Sequence, residues 1–302
     1  MLALSRAAEK ARFELGIGTY TVRGVSEEQM IADLRQLQIT QIELSSPNYF
    51  LPVVKLGAMQ SLRAKLDQGG IKVISYFAGD VDSQEELDKT VAMAKALGVS
   101  HVSGSAVGDA LRMIDVRFTH EGMKFGIHNH WFRGRRFAYE SPEDLLNAFA
   151  KVSKTVGATL DAGHMASCGY DPIDALNKLW ARLQIVHLKD VQRAADDKNV
   201  VLGTGVAKSK EVIEFLEKHG FNGLVAVEYE ASPENPVPDV TRSVTFARQW
   251  MRIPEKVSKH PLGILSHAIP TFLMQKGIAM CALTSGHRLS YDVRHGGIRR
   301  HC

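Results

Sequence analysis

Short apolar runs alternate along the chain with segments in which apolar residues recur at helical spacing. Capping residues, glycines and prolines stand between them, where one element ends and the next begins. Ser26 can cap a helix whose first turn carries Glu27 and Glu28, and Ser141 precedes a proline and two acids in the same way. The apolar runs predict eight strands, at residues 13–20, 41–44, 71–77, 99–103, 123–128, 157–161, 185–188 and 223–229.

A strand followed by a helix, eight times over, predicts a closed parallel (β/α)8 barrel, the TIM barrel of the α/β class. Apart from the two capped helices, the helical segments lie at residues 53–66, 83–97, 173–182, 208–219 and 239–251, with one more within 108–122. A doubly wound open sheet is the alternative, but no glycine-rich phosphate-binding fingerprint follows the first strand. The 302 residues, 45% of them hydrophobic, suffice for one such barrel.

The chain divides into an N-terminal arm (1–12), the barrel (13–251) and an irregular, basic C-terminal extension (252–302). The extension has no clean period, and it is expected either to be poorly ordered or to lie on the barrel. It contains eight Lys/Arg against two Asp/Glu, whereas the whole chain has a net charge of +4. The other residues are therefore slightly acidic, which argues against a nucleic-acid partner.

Cellular location and assembly are only loosely constrained by the sequence. There is no apolar run of membrane-spanning length, so no membrane partner is expected. The first residues, MLALSRAAEKARFELG, lack the apolar stretch of a signal peptide; a cytoplasmic protein is expected, with a trimmed export leader as the alternative. Three scattered cysteines predict reduced thiols rather than a disulfide framework. A homo-oligomer is compatible with these features.

Four of the predicted strands end in side chains that can bind a metal ion. Asp161 lies in GATLDAGH, His187 in QIVHLKD, Glu228 in GLVAVEYE and His128 in MKFGIHNH. In a parallel barrel the carboxyl ends of all strands face one mouth, where such barrels place their active sites. A mixture of carboxylate and imidazole suits Mn, Co, Fe or Zn better than Ca or Mg. The sequence therefore predicts a metal site in an enzyme.

The runs LDAGH, VHLKD and VAVEYE, in this order and spacing, resemble those of the sugar phosphate isomerase/epimerase family, which has a xylose-isomerase-like TIM barrel. The resemblance covers residues 13–251. It implies that Asp161, His187 and Glu228 are three of the four ligands of one divalent metal ion, Mn, Co or Zn. The fourth ligand in the family is a glutamate in a run similar to E-N-H, and here His128 stands in its place.

The resemblance implies an isomerase or epimerase that acts on a sugar, sugar phosphate or keto-polyol through an enediolate. Glu228 is then both ligand and general base, and His164 positions the substrate oxygens. Lys189 or Glu43 is expected to handle the second proton. The histidine at position 128 departs from the two-glutamate proton exchange of the ketose 3-epimerases.

Three other functions compete with this interpretation. The nearest is a lyase of the inosose-dehydratase type, since a similar H-L-K-D run there indicates a substrate role for Lys189 or Asp190. A non-catalytic barrel that only binds a sugar is favoured by His128 alone. A DNA-repair endonuclease with three zinc ions shares the fold, but it needs a D-x-H run, which this chain lacks.

Two loops of the predicted barrel could meet an anion. Arg133, Arg135 and Arg136 form a basic cluster, which either binds an anionic substrate or is simply solvated. The amides of the run from Leu202 to Gly205 (LGTG) precede a helix and could hold a phosphate, although a plain turn is the stronger expectation.

Overall fold

A computed structural model describes residues 13–251 of the chain. The expectations for the arm (1–12) and the extension (252–302) lie outside the described residues. The strands are β1 (Leu15–Gly18), β2 (Gln41–Ser45), β3 (Lys72–Asp80), β4 (His101–Ser105), β5 (Lys124–His128), β6 (Val156–Asp161), β7 (Leu183–Leu188), β8 (Asp190–Val191), β9 (Asn199–Val200) and β10 (Leu224–Val227). All but β8 and β9 form a closed barrel of parallel strands, in the order β1-β10-β7-β6-β5-β4-β3-β2. The predicted (β/α)8 barrel is confirmed.

The helices lie between the strands in the expected alternation. They are α1 (Glu27–Gln36), α2 (Leu56–Gln68), α3 (Gln84–Leu97), α4 (Gly108–Glu121), α5 (Pro142–Phe149), α6 (Ala162–Ser167), α7 (Pro172–Leu179), α8 (Ser209–His219) and α9 (Val237–Trp250). The side chains of Ser26 and Ser141 cap α1 and α5 as predicted, the second in a capping box with Asp144. In the described part of the chain, no helix is long and apolar enough to cross a membrane.

Besides shifts of a few residues at the ends of other elements, three elements differ from the sequence prediction. Helix α2 begins at Leu56 rather than at residue 53, because no Ser, Thr, Asp or Asn marks its start and Lys55 occupies the cap position. The short helix α6 follows β6 directly, and Asp161 caps it by accepting a hydrogen bond from the His164 amide. The ribbon of β8 and β9 pairs antiparallel outside the barrel, where the sequence indicates only a polar loop.

The two faces of the barrel strands have different chemistry. Outward-facing residues such as Val186, Leu188 and Ile127 belong to the large apolar core between the barrel and its helices. Every second side chain of a strand points to the barrel interior. These inward-facing residues change from apolar to polar along the strand. A small apolar cluster containing Ile185 and Leu224 lies near the strand starts, and polar side chains follow toward the strand ends. The interior therefore becomes polar toward the mouth.

Gly157 in β6 provides a test of this close packing. A Cβ atom there would lie 2.2 Å from the carbonyl oxygen of Arg182, so Gly157→Ala is expected to lower the free energy of unfolding by about 1–3 kcal/mol. Gly57 in α2 is the matched control, since its added Cβ meets nothing within 4 Å and alanine favours the helix. Urea unfolding followed by circular dichroism compares the variants, and equal midpoints for both would contradict the packing described.

Candidate functional site

Four strand ends bring their metal-capable side chains to one point in the barrel mouth. His128 ends β5, Asp161 ends β6, His187 is the second-last residue of β7, and Glu228 directly follows β10. All four are buried, with exposed fractions of 6%, 0%, 1% and 9%. One nitrogen or oxygen from each residue lies within 4.8 Å of the others. The structure thus brings together the four residues that the sequence indicated as ligands.

The atoms that face each other in this cluster are unpartnered. His128 Nε2, Asp161 Oδ2, His187 Nδ1 and Glu228 Oε2 are buried, and none has a hydrogen-bond partner within residues 13–251. The His187 and Glu228 atoms lie 2.9 Å apart without hydrogen-bond geometry, and Asp161 Oδ2 lies 3.8 Å from His128 Nε2 and 3.9 Å from His187 Nδ1. A buried polar atom without a partner costs about 1–3 kcal/mol.

These separations fit one cation at the centre of the cluster. Ligand bonds of about 2.0–2.2 Å in a tetrahedral site place the donor atoms roughly 3.4 Å apart. Two carboxylates and two imidazoles are a donor set for Zn, Mn or Co, and the bound ion would satisfy all four unpartnered atoms at once. The geometry therefore suits one divalent metal ion.

Neighbouring groups hold the ligand atoms in these orientations. His187 Nε2 lies 2.6 Å from Glu43 Oε2, which leaves Nδ1 for the cluster. Asp161 Oδ1 accepts the amide hydrogen of His164 at 2.8 Å, which leaves Oδ2 for the cluster. The Asn129 side chain bonds both the backbone amide and the carbonyl of Asp161, at 2.8 and 3.0 Å. A histidine whose second nitrogen meets a carboxylate is the usual outer-sphere arrangement around a metal ligand.

Glu43 has a different position from the one expected of a substrate-facing acid. It lies in the middle of β2 rather than at its end, is fully buried, and accepts hydrogen bonds from the hydroxyls of Ser75 and Ser103. Burial raises the pKa of Glu43, but the adjacent His187 and these hydroxyls outweigh burial and lower it. Glu43 therefore supports His187 from below as a carboxylate and does not line the cavity.

Lys189 occupies the interior beside the cluster. Its ammonium contacts Glu230 and lies 3.0 Å from His164 Nε2, 3.5 Å from Asp161 Oδ2 and 3.9 Å from Glu228 Oε2. Burial lowers the pKa of Lys189, but the carboxylates of Asp161, Glu230 and Glu228 outweigh it and raise the pKa above its usual value. Lys189 is therefore a buried cation that neutralises part of the acidic cluster.

Two adjacent histidines, His164 and His130, lie beside Lys189. Burial and the charge of Lys189 hold the pKa of His164 well below its usual value. The neutral ring accepts a hydrogen bond from Lys189 at Nε2, which assigns its own hydrogen to Nδ1. Burial and His128 lower the pKa of His130 to about 3. The His130 and His164 ring centroids are 4.1 Å apart with the ring planes tilted by 31°, so the two rings are in contact.

Asp190, the residue after Lys189, is buried on the other side of the backbone and organises a loop. Its carboxylate accepts hydrogen bonds from the amides of Gly203, Gly205 and Ala207 and from the hydroxyl of Ser209. The loop donors that could have held a phosphate are thus occupied by a carboxylate of the protein itself. The stronger expectation, a plain turn, describes this loop.

A cavity of about 350 Å³ borders the cluster of four side chains, and His128, His164 and Glu228 are part of its wall. The sequence did not indicate several of its other lining residues, including Tyr20, Phe77, Asp80 and Tyr139. Asp80 was missed because β3 runs three residues beyond its predicted end. A larger cavity of about 610 Å³ lies at the strand starts, away from the cluster.

Cys168 lies in this part of the fold but has no catalytic character. It is a free thiol, and burial followed by nearby carboxylates raises its pKa to about 12. A thiol of that kind is a poor nucleophile at neutral pH.

Residues 31–250 match the family model of the xylose isomerase-like TIM barrel. The chain belongs to this family. Inosose dehydratase of Lacticaseibacillus casei is 26% identical over 242 residues, which cover 74% of this chain and 80% of that protein. Relatives of this chain are thus enzymes of the family.

Two solved structures share the fold. The IOLI protein with a zinc atom aligns with a TM-score of 0.64 and 15% identity, over 80% of this chain and 100% of that one. L-ribulose 3-epimerase aligns with a TM-score of 0.63 and 17% identity, over 80% and 95%.

The cluster geometry predicts that His128, and not His130, is a metal ligand. His128→Ala removes one of the four inward atoms and is expected to lower zinc or cobalt affinity by at least about 10-fold. His130→Ala is the matched control, because the His130 ring meets His128 edge-on, with the centroids 5.8 Å apart, and contributes none of those atoms. Competition with a chromogenic chelator measures both affinities. Equal affinity in wild type and His128→Ala would show that His128 is not a ligand.

Proposed function

We propose that the protein is a metal-dependent lyase that removes water from a cyclic polyol ketone. The observation that carries this proposal is the pairing of a cluster carboxylate with a lysine–histidine group. Glu228 lines the cavity, and the hydrogen-bonded group of Lys189, His164 and Glu230 lies beside it, with Lys189 Nζ 3.9 Å from Glu228 Oε2. Removal of water needs one base and one acid, and this pair of groups can supply them.

Glu228 is the proposed base for the C–H bond next to the substrate carbonyl. One of its oxygens belongs to the cluster, and the residue lines the cavity, so its carboxylate meets both the metal site and a substrate. His128, Asp161, His187 and Glu228 would hold a divalent ion, whose Lewis acidity at the substrate carbonyl would make that C–H bond more acidic. Loss of the proton to Glu228 gives the enediolate.

His164 is the proposed donor to the leaving hydroxyl. Its ring lines the cavity, and its Nε2 receives a hydrogen bond from Lys189. The ring can give its Nδ1 hydrogen to the departing oxygen while it takes a replacement proton at Nε2 from Lys189. The C–O bond breaks as the C=C bond forms, one water leaves, and the proton on Glu228 returns to the Lys189 group. The proton count of the protein is then unchanged.

The isomerase or epimerase indicated by the sequence resemblance is the second candidate, since it shares the enediolate. Inversion of a carbon centre needs a proton carrier on each face of the substrate. In this chain the position of the second glutamate holds His128, whose Nε2 points into the cluster, and Glu43 lies below His187. The similarity to inosose dehydratase over most of its length also supports the lyase. The substrate in either case is a small carbohydrate.

Incubation with a keto-inositol and, separately, with ketohexoses tests the lyase. The metal-loaded protein is expected to convert the keto-inositol to a product lighter by one water, seen by mass spectrometry and by the ultraviolet absorbance of an unsaturated ketone. Ketohexoses are expected to remain unchanged. Epimerised ketohexose without loss of water, on polarimetry or chromatography, would favour the second candidate and contradict the lyase.

A further inference from the structure

We infer that Arg135 binds an anionic oxygen group, a carboxylate or a phosphate, at the outer end of a polyol substrate. This inference rests on the proposed function for the choice of a polyol. The feature that carries it is a tilted stack of planar side chains along one wall of the cavity, which begins beside the four-residue cluster and ends at the Arg135 guanidinium.

The stack joins four side chains in sequence. The His164 and His130 ring centroids are 4.1 Å apart with the ring planes tilted by 31°, and those of His130 and Phe137 are 4.3 Å apart with a tilt of 36°. The Arg135 guanidinium lies over the Phe137 ring, 4.6 Å from its centroid. His130, His164, Phe137 and Arg135 all line the same cavity. Stacking on an aromatic face holds a guanidinium in place while its N–H edge stays free for hydrogen bonds.

The loop backbone fixes this end of the stack. Phe132 and Arg135 form an isolated antiparallel bridge around Gly134, whose φ is +76°. The amide of Phe137 donates a hydrogen bond to the Glu140 side chain at 2.7 Å. Arg135 is therefore carried on a short, hydrogen-bonded turn, and its position is specified although the side chain is exposed.

The three arginines of this loop have different partners. Arg133 lies 3.3 Å from Asp196, which compensates its charge. No carboxylate of residues 13–251 lies within 4 Å of the Arg135 guanidinium, and Asp80 lines the same cavity without pairing with it. Arg136 has the same charge as Arg135 but does not line the cavity. Arg135 is thus the arginine of this cluster that can meet a ligand in the cavity.

The chemistry of a free guanidinium fork selects an anion with paired oxygens. Carboxylate and phosphate both accept two parallel N–H hydrogen bonds, whereas a neutral hydroxyl accepts weaker ones. Within the described part of the chain, Arg135 is the one arginine or lysine that lines this cavity, and the nearby Lys189 contacts Glu230. A substrate with its ketone at the metal and an anion at the rim would match both ends of the stack.

Calorimetric binding to the metal-loaded full chain tests this inference with three probes of similar size: myo-inositol, quinate and inositol monophosphate. Wild type is expected to bind at least one of the anions about 10-fold more tightly than myo-inositol. Arg135→Gln is expected to lose that preference, and Arg136→Gln to retain it. The anion that is preferred identifies carboxylate or phosphate as the group recognised.

Three outcomes would overturn the inference. They are a wild type without preference for either anion, an equal loss in Arg135→Gln and Arg136→Gln, and a preference that survives in Arg135→Gln because the anion binds the metal alone. The binding assay involves no turnover. Failure of the lyase assay with unchanged binding preference would therefore contradict the proposed function and leave the role of Arg135 intact.

Discussion

The structure depends on how the barrel interior compensates the desolvation of four buried polar atoms. Four nitrogen and oxygen atoms from His128, Asp161, His187 and Glu228 face one another, buried and without hydrogen-bond partners in the described part of the chain. An ordinary core pairs such atoms or replaces them with apolar groups. Burial of two carboxylates is tolerable when positive charge stands between them. A divalent cation is the compensation that these atoms fit, and the surrounding contacts serve to keep them pointed inward.

The layers below and beside the cluster follow from this requirement. Glu43 holds His187 by one nitrogen and is itself held by hydroxyls of β3 and β4, so the polar interior continues one layer below the ligands. Lys189 brings a second positive charge and keeps it because three carboxylates surround it. Asp190 fixes the loop behind Lys189 by accepting the amides of residues 203, 205 and 207. Within the H-L-K-D run, His187 thus faces the cluster, Lys189 neutralises part of its charge, and Asp190 orders the loop behind it.

The sequence predicted the barrel and the four side chains that the structure brings together, because both follow from local patterns. Alternation of apolar runs with helical segments gave the strand ends, and a parallel barrel brings all strand ends together. The height of a side chain inside the barrel is not local, since it depends on the stagger between neighbouring strands. Glu43 was for that reason expected at the mouth although it lies a layer below. The stack from His164 to Arg135 and the partners of Asp190 join distant segments, which periodicity does not reveal.

X-ray absorption spectroscopy of the purified protein, prepared without chelator, tests the metal centre most directly. One divalent ion per chain is expected, with nitrogen and oxygen ligands at about 2.0–2.2 Å and the scattering pattern of two imidazoles. A first shell that contains sulfur at about 2.3 Å, or one that lacks imidazole, would contradict the assignment of His128, Asp161, His187 and Glu228 as the ligands. Protein that binds no divalent ion at all would contradict the account of the cluster itself.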